Sequence, residues 1–383
     1  MTNTTKTLSR LHWLDAARGF IMVIMAIDHA SYFIARLHRG EFWGLPMPQY
    51  DSALAFLTRF VTHICAPGFF FLMGVSMLLF EDSRSQKGWT RSQIARHFGL
   101  RGGLLILLQI TIENAAWLLG EAFGKVEIPA PPGGGTEVYI HLGVLYALGL
   151  SMLLWGLLPK RSLTFILSVS VLAMLVPAFV IPTAQLDTLY NPLLRALVIP
   201  GHTNMMQSYY PLLPWFGVAG LGIAFARYWQ QAPQKAARLL LPAGIGALFT
   251  FFVLRALNLG DFHPFSGGNW IDFLNVTKYP ASPLYLLFTL GVDVLLLRAF
   301  MQWDGERFGA ALRPLLVFGR EPLFFYVAHL YLYALMGIPF PTGTNFAIMY
   351  ALWLLGLIVL YFLTRWYGSF KSTKAPDSLW RLI

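Results

Sequence analysis

RGFIMVIMAIDHASYF, residues 18–33, is the stretch that decides the fold class, because most of its side chains are apolar. It lies in a run, residues 14–34, long enough to cross a bilayer core of about 30 Å as a helix. Arg18 opens the stretch, and Asp28 and His29 stand near its end. A charged side chain in the middle of a membrane helix costs roughly 2.5–3.5 kcal/mol, so such residues usually face the bundle interior or a water-filled cavity. The run is therefore predicted to be a membrane helix with functional side chains.

The composition extends this prediction to the whole chain of 383 residues. Hydrophobic residues make up 56% and charged residues only 12%, whereas a soluble domain carries about twice that charge. Ten apolar runs have the length of a membrane span, at residues 14–34, 54–80, 100–119, 138–158, 163–182, 211–229, 239–257, 280–300, 313–337 and 345–366. The predicted fold class is all-α, a polytopic membrane helix bundle of about ten transmembrane helices that forms one domain over residues 1–383.

The net charge is +10. The distribution of the basic residues along the chain is explained by membrane topology and does not require a nucleic-acid-binding surface. If the N-terminus is cytoplasmic, nineteen Lys and Arg residues fall on the cytoplasmic side and six on the other. This asymmetry agrees with the positive-inside rule. Both termini are therefore predicted to be cytoplasmic, the lipid bilayer is the expected partner, and no nucleic acid is expected. The longest connections, 120–137, 183–210 and 258–279, then fall on the outer side.

One face of the first predicted helix carries most of its polar residues. Spacings of three and four place these side chains on one side: Asp15, Arg18, Met22, Met25, His29 and Tyr32. Arg18 and His29 are eleven positions apart, which is roughly 16 Å along a helix axis. The face predicts an anion-binding Arg18 near one membrane surface and a chemical role for His29 nearer the other. The alternative for Arg18 is an i,i+3 ion pair with Asp15.

The second and third predicted spans add titratable residues in the outer half of the bilayer. Arg59 and His63 lie four positions apart on one helical face, and Pro67 predicts a kink beside them. Glu113 has no partner in its own helix, so we expect it to pair with Arg59 or a histidine, to be protonated, or to meet water. The predicted cluster therefore contains His29, Arg59, His63 and Glu113.

Histidines concentrate on the predicted outer side, at His29, His38, His63, His141, His202, His263 and His329. A histidine beside a carboxylate is the usual means of removing a proton near neutral pH. The sequence spacing places no two of these histidines on one helix turn as metal ligands, so no metal site is predicted.

Six segments in order resemble the bacterial relatives of heparan-alpha-glucosaminide N-acetyltransferase, a group often labelled only as a domain of unknown function. They are RGFIMVIMAIDHA, RFVTHICAPGFFFLMGVS, HLGVLYALGL, YYPLLPWFGVAGLGIA, LNVTKYPASPLYLLFTLG and VFGREPLFFYVAHLYL. The spacing of Arg18 and His29 is also similar to the signature of the wider transmembrane acyltransferase superfamily. The resemblance covers nearly the whole chain and implies an integral protein of a bacterial inner membrane.

The resemblance implies transfer of an acyl group, expected to be acetyl, from cytoplasmic acyl-CoA to a carbohydrate amine or hydroxyl on the far side. Combined with the residue patterns, it gives the expected catalytic residues His29, Asp28, His63, Glu113 and His38. The expected residues for binding acetyl-CoA are Arg18, Arg59, Lys278 and Arg320. The sequence leaves open whether two copies of the chain form a homodimer.

Two alternatives remain at this point. In the animal enzyme the active histidine lies just beyond the first span, before Trp-Asn-Gly, and the counterpart here is His38 ahead of EFWG, residues 41–44. Either His29 or His38 is therefore the expected base. The second alternative is a transporter whose titratable residues relay protons, although the internal repeats common in transporters are not visible in the sequence.

Overall fold

The computed structural model describes residues 11–124, 140–158, 161–181, 191–302, 312–375 and 378–382. Fifteen α-helices occur in these ranges. They are α1 His12–Ala30, α2 Ala53–Phe60, α3 Cys65–Gln86, α4 Arg91–Leu108, α5 Asn114–Ala122, α6 Val144–Leu157, α7 Leu163–Val180, α8 Pro192–Leu197, α9 Leu212–Gln231, α10 Pro233–Ala256, α11 Trp270–Leu274, α12 Pro283–Gln302, α13 Arg313–Arg320, α14 Pro322–Met336 and α15 Phe346–Ser372. The predicted helical membrane bundle is confirmed.

Seven helical stretches of the described residues are long and apolar enough to span a membrane. An eighth is counted if α13 and α14, which meet at an angle of 98°, form one broken span. The predicted runs 138–158 and 211–229 correspond to α6, which has 14 residues, and α9, which has 20. Neither belongs to the seven, so the predicted number of ten is not confirmed.

The first three spans contain breaks in regular α-helical geometry. A π-helical turn, Ser31–Ala35, continues α1, and another, Gln109–Glu113, joins α4 to α5. A 3₁₀ turn, Val61–Ile64, joins α2 to α3, and Pro67, beside which the sequence predicted a kink, lies in the first turn of α3. Such irregular turns inside helices are frequent near functional sites because they redirect side chains.

Helix α1 lies at the centre of the bundle and packs closely against α13. A Cβ atom at Gly19 would collide with the carbonyl oxygen of Leu315, and one at Gly319 would collide with the carbonyl oxygen of Asp15. Glycine at both positions therefore allows the two backbones to touch, as small residues commonly do between membrane helices.

A small sheet lies outside the helices and was not predicted. Its strands are β1 Ile140–Leu142, β2 Gly201–His202 and β3 Met206–Ser208, in the spatial order β1-β3-β2. β1 runs parallel to β3, and β2 runs antiparallel to it. The sheet joins the segment before α6 to the segment before α9.

Candidate active site

A cavity of about 690 Å³ extends along one face of α1. The polar face that the sequence predicted contributes to its lining through Arg18, Met22, Met25, His29 and Tyr32. Its lining changes in character along the helix: cations lie around Arg18, sulfur-containing and aromatic side chains follow, and histidines and carboxylates surround His29. The two ends therefore suit different chemical groups.

The basic end is lined by Arg18, Arg101, Arg320 and Lys371. The Arg18 guanidinium lies 3.3 Å from the Asp15 carboxylate, which confirms the i,i+3 pair, and it also donates to Ser76 Oγ at 2.9 Å. A third bond, of 2.7 Å, runs from Arg18 Nη1 to the carbonyl oxygen of Gly319. Arg18 is therefore held rigidly between α1, α3 and α13 while it borders the cavity.

The other cations of the basic end are held less tightly. Arg320 Nε lies 3.9 Å from Asp15 Oδ2, and the Arg320 side chain is 40% exposed. Lys371 Nζ pairs with Glu321 Oε2 at 2.8 Å. Within the part of the chain that the structure describes, Arg101 lines the cavity without a hydrogen bond or an ion pair. This end consequently retains donors for a multiply charged anion.

A less polar middle section separates the two ends. Five methionines line it, Met22, Met25, Met73, Met77 and Met152, together with Phe69 and Leu148. Methionine is flexible and polarizable, so this surface adapts to an extended, uncharged chain.

His29 lies on the cavity wall beyond this section, and His329 of α14 holds its ring. His329 Nδ1 lies 3.0 Å from the carbonyl oxygen of Phe325, which can only accept, so Nδ1 carries the hydrogen. In the neutral ring, His329 Nε2 then accepts, and it lies 2.5 Å from His29 Nδ1. His29 Nδ1 must therefore donate, which leaves the lone pair on His29 Nε2. The chain of bonds assigns the basic nitrogen of His29.

The end of the cavity that is lined by histidines and carboxylates is called the chamber below. His38 lines it together with His29, because the chain reverses after the π-helical turn. Arg36 adopts a left-handed conformation, with φ 55°, and its guanidinium donates to four carbonyl oxygens, those of Gly120, Gly124, Gly337 and Phe340. His38 Nδ1 then lies 3.7 Å from Asp28 Oδ1. Burial lowers the pKa of His38 to about 4, and Arg59 and Lys278 act in the same direction against Asp28. His38 is consequently neutral at pH 7.

Arg59 and His63 lie behind the chamber, outside the cavity lining. Arg59 Nη1 donates to both oxygens of Asp28, at 2.8 and 2.9 Å, and its Nε and Nη2 donate to Glu41, at 3.0 and 2.8 Å. His63 Nε2 lies 3.4 Å from Glu41 Oε1. Burial alone would raise the pKa of Glu41, but Arg59 and His63 hold it well below its ordinary range. The network fixes Asp28 on the chamber wall.

Glu113 lines the chamber. The sequence had suggested Arg59 or a histidine as its partner, but Glu113 does not pair with Arg59. Trp117 Nε1 donates to Glu113 Oε1 at 3.3 Å, and Trp117 also packs edge-on against His29, with ring centres 5.3 Å apart. The second oxygen, Oε2, is buried without a hydrogen-bond partner among the described residues. Lys278 lines this same end. The four predicted acetyl-CoA residues therefore separate, with Arg18 and Arg320 at the basic end, Lys278 in the chamber and Arg59 behind it.

Among the lining residues, Arg101 and Trp117 were not predicted as site residues, although a signal for them exists. Arg101, Gln109, Glu113 and Trp117 follow spacings of four or eight, so one face of the third span runs from the basic end to the chamber. In the sequence analysis, Arg101 was counted only among the basic residues that indicate the cytoplasmic side. His329 stands in the segment VFGREPLFFYVAH, but its contact with His29 joins positions 300 residues apart.

The described residues contain no group of three or more His, Cys, Asp or Glu side chains suited to a metal ion. In comparison with known proteins, residues 10–254 match a family described as heparan-alpha-glucosaminide N-acetyltransferase, catalytic. The matched range includes Arg18, His29, His38 and Glu113, whereas Lys278 and Arg320 lie beyond it. No match was found among curated proteins.

Proposed function

From the premise that the chain belongs to the heparan-alpha-glucosaminide N-acetyltransferase catalytic family, we propose that it transfers an acetyl group from acetyl-CoA to a carbohydrate amine or hydroxyl. The family and the apolar helices support a membrane acetyltransferase. The identity of the donor, the class of the acceptor and the side of the membrane from which each one binds are our proposal.

One observation carries the proposal, namely that a single cavity joins a cluster of cations to a chamber of histidines. The phosphates of CoA fit the basic end, where Arg101, Arg320 and Lys371 supply positive charge around the fixed Arg18. The pantetheine arm fits the methionine-lined section, which would lead the thioester toward His29. The roughly 16 Å of helix between Arg18 and His29 matches the reach of such an extended arm.

In the chamber, His29 Nε2 is the proposed general base. It takes a proton from the acceptor amine or hydroxyl, the acceptor atom bonds to the acetyl carbon, and the bond from that carbon to sulfur breaks. The proton then passes from His29 to the departing thiolate. His329 stays neutral and accepts the bond from His29 Nδ1 throughout, so the imidazolium that forms is stabilised and its ring does not turn.

His38 is the competing base. It is neutral at pH 7, it borders the same cavity, and Asp28 lies near its Nδ1. In the proposed site, Asp28 supplies negative charge beside whichever ring takes the proton. Arg59 holds Asp28 in place and does not bind the donor.

The test uses purified full-length protein with acetyl-CoA carrying a labelled acetyl group and D-glucosamine as the acceptor. We expect His29→Ala to lower transfer by about 10²–10⁴-fold while acetyl-CoA binding stays unchanged. His12→Ala serves as the matched control, because His12 stands at the start of α1 outside the cavity lining. If His38→Ala loses transfer and His29→Ala keeps it, the general base is His38 and not His29. A wild-type protein that does not bind acetyl-CoA would refute the proposal and favour a transporter.

A further inference from the structure

The small sheet places three polar side chains in a row. His141 of β1 pairs with Gln207 of β3, and Gln207 pairs in turn with His202 of β2. Directly paired residues point to the same side of a sheet and lie about 5 Å apart. All three side chains line the cavity described above. The sheet therefore presents a straight polar row to the site.

Aromatic rings border this row. Gln207 Nε2 donates to Tyr209 Oη at 2.6 Å. The Tyr209 ring lies 5.7 Å from the Phe42 ring and 5.8 Å from the Tyr279 ring, measured between centres. Phe42, Tyr209 and Tyr279 all line the cavity. Polar groups beside an aromatic surface are the usual lining of a site for a small amphipathic molecule.

The row is uncharged near neutral pH. Burial lowers the pKa of His141, with His202 adding to the effect, and burial also lowers the pKa of His202, with Arg195 adding to it. A neutral imidazole and an amide each donate and accept hydrogen bonds. A sugar hydroxyl also does both, so such a row suits a polyol better than an anion.

The row also leads into the chamber and leaves hydrogen-bonding capacity unused. Gly143 follows His141 by two residues, and a Cβ atom there would lie 2.9 Å from Glu113 Oε1. Nε2 of His202 is buried and has no hydrogen-bond partner in the described part of the chain. Since buried polar atoms are normally paired, this nitrogen is available to a ligand.

We propose that His141, Gln207 and His202, with Tyr209 beside them, form the acceptor subsite and bind the ring hydroxyls of a neutral or amino sugar. The proposal rests on the proposed acetyl transfer and adds the location of the acceptor. The ring would lie against the aromatic surface, and its reacting amine or hydroxyl would be directed past Gly143 toward Glu113 and His29.

Equilibrium binding of D-glucosamine and D-glucose to the full-length protein, measured without acetyl-CoA, tests the subsite independently of turnover. We expect Gln207→Ala and His202→Phe to weaken sugar binding about tenfold, because each removes hydrogen bonds to the ring. His202→Gln keeps a neutral donor and acceptor and should stay close to wild type. Gln302→Ala is the control for Gln207→Ala, since Gln302 is exposed at the end of α12.

Acetyl-CoA affinity, measured on the same preparations, should be unchanged in every variant and reports that the fold is intact. Equal sugar affinities in wild type, Gln207→Ala and His202→Phe would overturn the subsite, as would a wild type that binds neither sugar. Normal sugar binding without acetyl transfer would instead overturn the proposed function and leave the subsite in place.

Discussion

At the scale of single residues, the direction of one hydrogen bond decides how the site can work. The carbonyl oxygen of Phe325 fixes the hydrogen of His329 on Nδ1, and His329 in turn fixes the hydrogen of His29 on Nδ1. The basic nitrogen of His29 is therefore chosen by a backbone carbonyl on another helix. A histidine without this partner would divide its population between two tautomers.

Replacing His329 tests this assignment. We expect His329→Ala to lower kcat about 10- to 100-fold, because His29 loses the acceptor that holds its tautomer and ring orientation. The KM for acetyl-CoA should stay unchanged, since His329 is remote from the basic end. His329→Gln, whose amide oxygen can accept from His29 Nδ1, should recover part of kcat. A purely structural role would lower kcat equally in both variants.

The pH profile of Lys278→Met tests His38 as the candidate base. His38 acts as a base only while neutral, so a profile that depends on it loses activity as the pH falls through its pKa, about 4. Lys278 is one of the charges that lower this pKa. Its removal should therefore move the acidic limb of kcat/KM to higher pH. An unmoved limb would show that His38 is not the titrating group.

At the scale of elements, Arg59 ties α1, α2 and the segment after α1 together through buried charges. It contacts Asp28 and Glu41 at the same time, and the Arg59 and Glu41 side chains are 5% and 0% exposed. Two carboxylates share one guanidinium, so each carboxylate depends on the same partner. The network explains how one aspartate, Asp28, and one glutamate, Glu41, remain ionised beside a membrane-embedded chamber.

Glu41→Gln should lower the free energy of unfolding by about 1–3 kcal/mol, because the amide offers one acceptor oxygen where the carboxylate offered two, so one buried donor of Arg59 loses its acceptor. Asp51→Asn is the control, since the Asp51 side chain is 92% exposed in its pair with Arg39 and should lose less than about 1 kcal/mol. Thermal unfolding in detergent measures both. The pKa of Glu41 lies below its ordinary range, so this stabilisation is present above that range and is lost on acidification.

The sequence predicted helices well and their contacts poorly. Apolar length identifies most spans, and the i,i+3 and i,i+4 spacing correctly places Arg18 and His29 on the cavity side of α1. The run 313–337 breaks at Glu321, before Pro322, because proline disfavours helical backbone at the preceding residue and cannot donate to the helix. The strands of two or three residues are too short to show a period of two.

The position of Arg59 shows why spacing alone could not assemble the site. Helical periodicity gives the direction of a side chain around its own axis, but not the neighbour that it meets. Glu41, the second partner of Arg59, stands in an irregular segment with no periodic signal. The contact between His29 and His329 likewise depends on how α1 and α14 pack across the bundle.

At the scale of the whole molecule, the proposed function requires that the two ends of the cavity belong to opposite sides of a membrane. Thr373, after α15 on the side of the basic end, and Ser266, in the connection between α10 and α12, are both exposed. The charge asymmetry of the sequence predicts that Thr373 is cytoplasmic and Ser266 is not.

Cysteine labelling tests this topology directly. Cys65 is the single cysteine of the chain, so Cys65→Ala provides a background without thiols. In that background we expect Ser266→Cys to react with a membrane-impermeant maleimide on intact cells, and Thr373→Cys to react only after the membrane is opened. The reverse pattern would invert the predicted orientation and place the cations of the basic end away from cytoplasmic acyl-CoA.

The methionines between the two ends acquire a further meaning in the proposed topology. A channel of titratable groups across an energised membrane would also conduct protons and dissipate the electrochemical gradient. Thioether sulfur is only a weak hydrogen-bond acceptor and no donor, so five methionines interrupt the relay that water and titratable groups would form. In the proposed function, the same lining would accommodate a flexible acyl carrier and act as a barrier to protons. In this topology an acetyl group would pass from one compartment to the other while the proton gradient is kept.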